Sequence, residues 1–209
     1  LGAVRTGAIG GVAIKYMSRP DSMRLGILGS GIQARTQLEA ATSVRRFELV
    51  KVYSPNAQHR QKFVDEMKAK LRLNIEAVAS AEEAVRDADV LVSATPATSP
   101  IYQAAWLKPG VHINALGVKF KQAHEIDLDV ADRSQVVATD SLAQVEAYGD
   151  QFLLSGTPHQ KRLIELCDVV AGKKAGRSAP EDITLFCSMG LAGTEVVLAD
   201  RVFAAAGRK

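Results

Sequence analysis

Apolar segments of two lengths alternate along this chain. A five-residue run, Arg24 to Leu28 (RLGIL), reads as a buried strand, and Gln33 to Val44 reads as a helix. Leu49 to Tyr53 (LVKVY) predicts a second strand, and Asn56 to Leu71 a charged amphipathic helix. Ile75 to Val78 is a short strand, and Ser80-Ala81-Glu82-Glu83 opens a helix with a capping-box pattern. Two more apolar runs, Asp89 to Thr95 and Val111 to Leu116, predict strands on either side of a turn at Trp106 to Gly110. Asp127 to Asp132 reads as a short helix, Gln135 to Thr139 as a strand, and Ser141 to Tyr148 as a helix. Repeated strand-helix units with short connections predict an α/β fold, a doubly wound parallel sheet covered on both faces. Right-handed crossovers make it Rossmann-like. The front is already helical at Leu1 to Arg5, continues so over Ala8 to Tyr16 and stops at Ser18-Arg19-Pro20. Lys173 to Pro180 is the one stretch that reads as a linker.

The junction after the first strand reads Gly29-Ser30-Gly31-Ile32-Gln33-Ala34, a G-x-G-x-x-A turn between strand and helix. That context turns a common glycine pattern into a dinucleotide-binding expectation. Gly29 allows the tight turn, Gly31 lets the backbone approach a pyrophosphate, and Ala34 lets the helix sit close to the strand. The helix start then offers free N–H groups and a partial positive charge to phosphate.

Composition narrows the alternatives. Hydrophobic residues make up 47% and charged residues 23%, ordinary globular values. The formal net charge is only +3 and aromatic residues are 5%, so neither a basic stripe nor a stacking platform for nucleic acid is present. No run approaches the ~18 to 20 apolar residues of a membrane span. Two cysteines, Cys167 and Cys187, form no disulfide framework and fit a reducing cytoplasm. The four histidines lie far apart, so no metal site is expected.

Ligands of such sheets bind at the carboxyl ends of the strands. That rule selects the glycine turn, the end of the second strand, Thr95-Pro96-Ala97, and Asn114 to Gly117. An NAD binder usually places an acid at the end of its second strand. Here the chain reads Tyr53-Ser54-Pro55-Asn56, with no carboxylate before Asp65. Ser54 and Asn56 could hydrogen-bond a ribose 2′-phosphate or 2′-hydroxyl, and Arg60 could add positive charge. The reading leans to NADP(H) over NAD(H).

Five segments in order, RTGAIGGVAIKYMSRPDS, LGILGSGIQARTQLEA, DVLVSATPATSP, WLKPGVHINALG and DITLFCSMGLAG, resemble the ornithine cyclodeaminase/mu-crystallin family. The resemblance runs from Val4 to about Phe203. It implies a substrate-binding and dimerising domain before the Rossmann domain, with a C-terminal helix returning to it. On that basis residues 1–20 are an opening helix from a largely missing substrate domain, 21–187 the NAD(P)-binding domain, and 188–209 the return helix. The full-length protein is expected to be a homodimer. Carried over residue by residue, the resemblance places Arg5 at a substrate carboxylate and Thr6 near the pyrophosphate. Gly29, Gly31, Gln33 and Ala34 match the glycine turn, and Thr95 and Pro96 a loop beside the cofactor. Leu116 and Gly117 match the strand end under the nicotinamide, and Ser188, Met189 and Gly190 the segment meeting its amide.

One position departs from the family pattern. The cyclodeaminases proper carry Asp two residues after the strand-end glycine, whereas this chain reads Gly117-Val118-Lys119. Lysine removes a carboxylate base and reverses the charge, which puts ornithine cyclisation in doubt. Glu125 and Asp127 lie nearby and read as helix-capping residues. The resemblance implies an NAD(P)-dependent oxidoreductase acting at the α-carbon of a small amino or imino acid. Imine reduction is favoured, with Lys119 able to deliver the proton. The alternatives are ornithine cyclodeaminase proper and a non-catalytic, NADPH-dependent binding protein of crystallin type.

Overall fold

A computed structural model describes residues 1–191 and 193–207. In chain order the elements are α1 (Gly2–Met17), β1 (Arg24–Leu28), α2 (Ile32–Val44), β2 (Leu49–Tyr53), α3 (Ala57–Leu71), β3 (Ile75–Ala77), α4 (Ala81–Val85) and β4 (Val90–Ser93). There follow β5 (His112–Ala115), a two-residue ribbon β6 (Lys119–Phe120) and β7 (Ala123–His124), α5 (Leu128–Arg133), β8 (Val136–Thr139) and α6 (Leu142–Tyr148). The last are α7 (Pro158–Lys161), β9 (Leu163–Glu165), α8 (Leu166–Val170), β10 (Thr184–Cys187) and α9 (Thr194–Ala206). Eight strands form one parallel sheet in the order β3-β2-β1-β4-β5-β10-β8-β9. Strand order reverses between β1 and β4, the crevice where ligands of such sheets bind.

The strands bury both faces, and their side chains fall into two large clusters and a third, smaller one where Ala138 and Phe186 meet Ala13 and Met17 of α1. Leu28, Leu91, Ile113, Val137 and Leu185 pack on one side with Val130 and Val145. Ile27, Val50, Val52 and Val90 pack on the other with Leu38 of α2 and Phe63 of α3. A fully buried side chain of this size contributes roughly 1.5–3 kcal/mol. Ser80 caps α4 by accepting from the Glu83 N–H, as its capping-box pattern predicts. The Lys173–Pro180 stretch is not a free linker. Arg177 within it donates to the carbonyls of Met17 and Gly110, which ties the segment to α1 and the sheet.

The front helix packs closely on α2 because its glycines leave room for that neighbour. A Cβ on Gly7 would lie 2.7 Å from the Thr36 carbonyl, and one on Gly10 would lie 2.0 Å from Gln37 Oε1. A buried polar chain completes the join. Gln37 Nε2 donates to the Thr6 carbonyl (2.9 Å), and Asn114 Nδ2 donates to the Gly10 carbonyl (3.0 Å) and to Gln37 Oε1 (3.2 Å). Asn114 Oδ1 must then accept from His112 Nε2 at 2.9 Å, which fixes the Nε2–H tautomer. His112 Nδ1 faces the Thr184 hydroxyl at 2.8 Å.

Burial lowers the His112 pKa from 6.5 to about 3, against the pull of Asn114. Between those values the unfolded chain binds a proton that the folded chain refuses. The stability from neutral His112 is therefore complete above pH 6.5 and falls as pH drops toward 3. Each pH unit in that window removes about 1.4 kcal/mol. Urea unfolding at about pH 4.5 should give a free energy roughly 2–3 kcal/mol lower than at about pH 7. A value that stays level over that range would contradict this role for His112.

Candidate functional site

Two cavities lie along the carboxyl edge of the sheet, and Thr95 lines both. The larger, about 550 Å³, is built on the β1–α2 turn and the end of β2. Gly29 has φ +107°, and a Cβ there would lie 2.4 Å from the Ala94 carbonyl, so the turn requires glycine. Gly31 has open space around it. It is the N-cap of α2, and no side chain caps that helix. The first-turn N–H groups of α2 therefore have no side-chain acceptor. Ala34 is fully buried against the sheet.

At the end of β2 the Ser30 hydroxyl donates to Ser54 Oγ (3.0 Å), which donates to the Asn56 carbonyl (3.3 Å). Arg60 donates to the Ser54 carbonyl, and its guanidinium sits 5.6 Å over the Tyr53 ring. Asn56 Oδ1 is occupied as the α3 N-cap, accepting from the His59 N–H at 2.9 Å. Arg35, not singled out from the sequence, donates to the Ser30 carbonyl and pairs with Glu66. A helix-face arginine carries no sequence signal for such a contact.

The smaller cavity, about 360 Å³, is lined by Thr95, Leu116, Gly117, Lys119, Tyr148 and the Ser188-Met189 segment, among others. Lys119 opens the β6–β7 ribbon, and its side chain turns back under the end of β5. Nζ donates to the Gly117 carbonyl at 2.6 Å and the Ala115 carbonyl at 3.2 Å. Burial pushes the Lys119 pKa below its ordinary 10.5, while Cys187, Glu125 and Asp140 pull it back up. Burial pushes the Cys187 thiol up to about 11, so it is a neutral core residue at the end of β10.

Two buried carboxylates hold this cavity together. Glu125 Oε2 accepts from the Thr95 N–H (3.0 Å) and hydroxyl (2.8 Å), and Oε1 accepts from the Gly117 N–H (2.6 Å). Glu125 is therefore no helix cap; Asp127 caps α5 instead. A Cβ on Gly117 would lie 2.5 Å from the Thr95 carbonyl oxygen and 2.3 Å from Glu125 Cδ, so the backbone contact requires glycine there. Asp140 accepts from the Met189 N–H (2.7 Å), the Gly190 N–H (3.0 Å) and the Ser188 hydroxyl (3.2 Å). Gly190 takes φ +95°. Asp140 carries no signal in the sequence: beyond the adjacent Thr139, the groups it binds are 48 to 50 positions away.

Thr95 and Pro96 both line the larger cavity, and Leu116 and Gly117 the smaller. Arg5 and Thr6 line neither. The Arg5 guanidinium pairs with Glu195 of α9 at 2.7 Å, and the Thr6 hydroxyl donates to the Gly2 carbonyl at 2.9 Å within α1. Gln33 Oε1 is buried with no hydrogen-bond partner. Among the described residues no group of three His, Cys, Asp or Glu side chains could hold a metal ion, and no helix is long and apolar enough to cross a membrane.

Residues 1–209 match the ornithine cyclodeaminase/mu-crystallin family as a whole. The chain is 37% identical over 209 residues to an alanine dehydrogenase of Archaeoglobus fulgidus, covering 96% of this chain and 62% of that protein. It is 33% identical over 208 residues to a Delta(1)-pyrroline-2-carboxylate reductase of Bacillus cereus, covering 96% and 62%. Among solved structures it is similar to the Thermococcus litoralis Delta(1)-pyrroline-2-carboxylate reductase in complex with NADH and L-proline. That likeness has a TM-score of 0.85 and 37% identity, and covers 95% of this chain and 62% of that one. The chain thus spans about 62% of the length of these relatives.

Proposed function

This chain belongs to the ornithine cyclodeaminase/mu-crystallin family, and from that premise we propose that the carboxyl edge of its sheet binds a nicotinamide dinucleotide for the reduction of a small imino acid. The observation that carries this reading is the pair of cavities meeting at Thr95. One rests on a glycine turn and an uncapped helix start, and the other encloses a buried lysine. The open space at Gly31 and the uncapped α2 fit a pyrophosphate. Gly29, Ser30, Gly31 and Thr95 would hold that group, with Ser54 and Arg60 at the ribose. When bound, the reduced nicotinamide supplies the hydride. The chain supplies the proton: two carbonyls hold Lys119 Nζ in the second cavity, and a Lys119 ammonium has a third N–H to give.

The relatives named as Delta(1)-pyrroline-2-carboxylate reductases support an imino acid as the substrate class. Lys119 argues against ornithine cyclodeaminase proper, because no carboxylate base stands at that position. Arg5 is assigned to the substrate carboxylate through the family resemblance, which requires that carboxylate to displace or share Glu195. Residues 1–20 are then an opening helix from a substrate domain, 21–187 the dinucleotide-binding domain and 188–209 the return helix. Val196, Val197 and Phe203 of α9 are exposed, which supports the return of this helix to a further domain of a homodimer.

The test is turnover. Natural full-length protein, given NADPH or NADH and Δ1-pyrroline-2-carboxylate, should oxidise the cofactor and form proline. Cofactor binding without turnover would instead favour a binding protein, and proline formed from ornithine would favour a cyclodeaminase.

For the cofactor, the finer reading is a preference for NADPH, supported by Arg60 and the absence of an acid after Tyr53. Ser54→Asp should shift preference toward NADH by about tenfold or more, since a carboxylate accepts from a 2′-hydroxyl and repels a 2′-phosphate. Paired titrations with NADH and NADPH check it. A parent protein that already prefers NADH several-fold removes this reading of Ser54, Asn56 and Arg60.

A further inference from the structure

Lys119 is buried, yet its amine has no carboxylate within salt-bridge distance among the described residues. Its direct partners are two backbone carbonyls. A lone buried ammonium in such a place is strongly disfavoured without compensating charge. Two buried carboxyl groups border the same site: Glu125 accepts from the N–H of Gly117, whose carbonyl holds the amine, and Asp140 accepts from Ser188 and Met189, which line the cavity with Lys119. Glu125 accepts from three donor groups and Asp140 from four, and neither donates to any, which is the bonding of a carboxylate. Neither needs the lysine to complete its hydrogen bonding, so the charge of each acts on the amine through the protein interior.

We propose that Glu125 and Asp140 are positioning residues for Lys119. Glu125 joins the Thr95 loop to the Gly117 loop, Asp140 fixes the Ser188–Gly190 segment, and together they hold the amine as an ammonium with one N–H free for the cavity. The role of the free N–H rests on Lys119 being the proton donor, whereas the charge of the amine does not. Other titratable groups around the amine are Cys187 from β10, Tyr148 across the cavity from α6, and His124 opposite Lys119 in the ribbon. The Cys187 thiol is neutral, and His124 Nδ1 lies 2.9 Å from the Phe120 carbonyl. None of these supplies the compensating negative charge.

The two carboxylates are separable by substitution. In Glu125→Gln the amide must turn an N–H toward the Gly117 N–H or toward Thr95, so loop geometry changes along with charge. Asp140→Asn is gentler, because an amide N–H can face the Ser188 hydroxyl, which can accept. The experiment is a pH titration of the full-length protein labelled with ¹³C at lysine Cε. The Lys119 signal is assigned by its absence in Lys119→Met. The parent amine is expected to titrate below the ordinary lysine range of about 10.4 and above neutrality. Each folded variant should lower that midpoint by about one pH unit or more, a tenfold loss of proton affinity. A midpoint that stays put in folded Asp140→Asn, or a parent amine already neutral at pH 7, overturns the proposal.

This readout needs neither cofactor nor turnover. The alkaline limb of the pH–rate profile for imino-acid reduction forms the second arm. If it moves with the NMR midpoint, positioning and proton donation both stand. If the midpoint moves and the limb does not, the positioning proposal stands and the donor reading falls.

Discussion

Lys119→Met in the full-length protein should lower kcat for imino-acid reduction at least 100-fold while changing dinucleotide affinity less than about twofold. A positioned general acid contributes roughly 10²–10⁴ in rate. Methionine fills the same volume but carries no proton to deliver. The substituted atom lines the smaller cavity, whereas the glycine turn lies in the larger one, so cofactor affinity is a separate measurement. The parent should show the pH signature of an acid. Its activity should fall as pH rises through the Lys119 pKa, which burial places below 10.5. A variant with undiminished kcat, or a parent whose rate climbs through that range, would remove Lys119 from the chemistry.

Gly31→Val should reduce dinucleotide affinity at least tenfold, ~1.4 kcal/mol, without unfolding the protein. The structure separates the two glycines of the turn. Gly29 has positive φ and a carbonyl 2.4 Å from where its Cβ would be, so substitution there damages the fold and the site together. Gly31 has φ −81° and nothing within 4 Å, so valine is tolerated locally and its bulk projects into the space a pyrophosphate needs. Fluorescence titration with NADPH, alongside urea unfolding of both proteins, measures the two effects separately. Equal affinity would mean that phosphate binds elsewhere.

The strands that carry the site were legible because each is a short apolar run bounded by turn residues. Arg24–Leu28 and Leu49–Tyr53 have the ends the sequence predicts, and Asp89–Thr95 and Val111–Leu116 shorten only where ladder pairing stops. The sheet order was not legible beyond the glycine turn. β10 is four residues long and late in the chain, yet it sits between β5 and β8 near the middle of the sheet. β9 has three residues and no alternation to announce it. The site followed the same division. The glycine turn is a local device and is written in consecutive residues. Glu125 and Asp140 act across 8 to 50 positions, and Glu125 beside Asp127 looks like any acid at a helix start. His112, Asn114 and Gln37 are polar residues inside apolar surroundings, and only their mutual hydrogen bonds explain why burial is tolerated there. Arg5 shows the limit of transfer by resemblance. Its position matches the family pattern, while its present partner, Glu195, lies at the other end of the chain.

The central claim is that this edge of the sheet brings a nicotinamide and an imino acid together beside Lys119. The most direct measurement supplies the full-length protein with NADPH deuterated at the transferable C4 position and with Δ1-pyrroline-2-carboxylate, then weighs the product. The account predicts proline one mass unit heavier, with the deuterium at its α-carbon, and little such product from Lys119→Met. Tight NADPH binding with no deuterium reaching the α-carbon would contradict it.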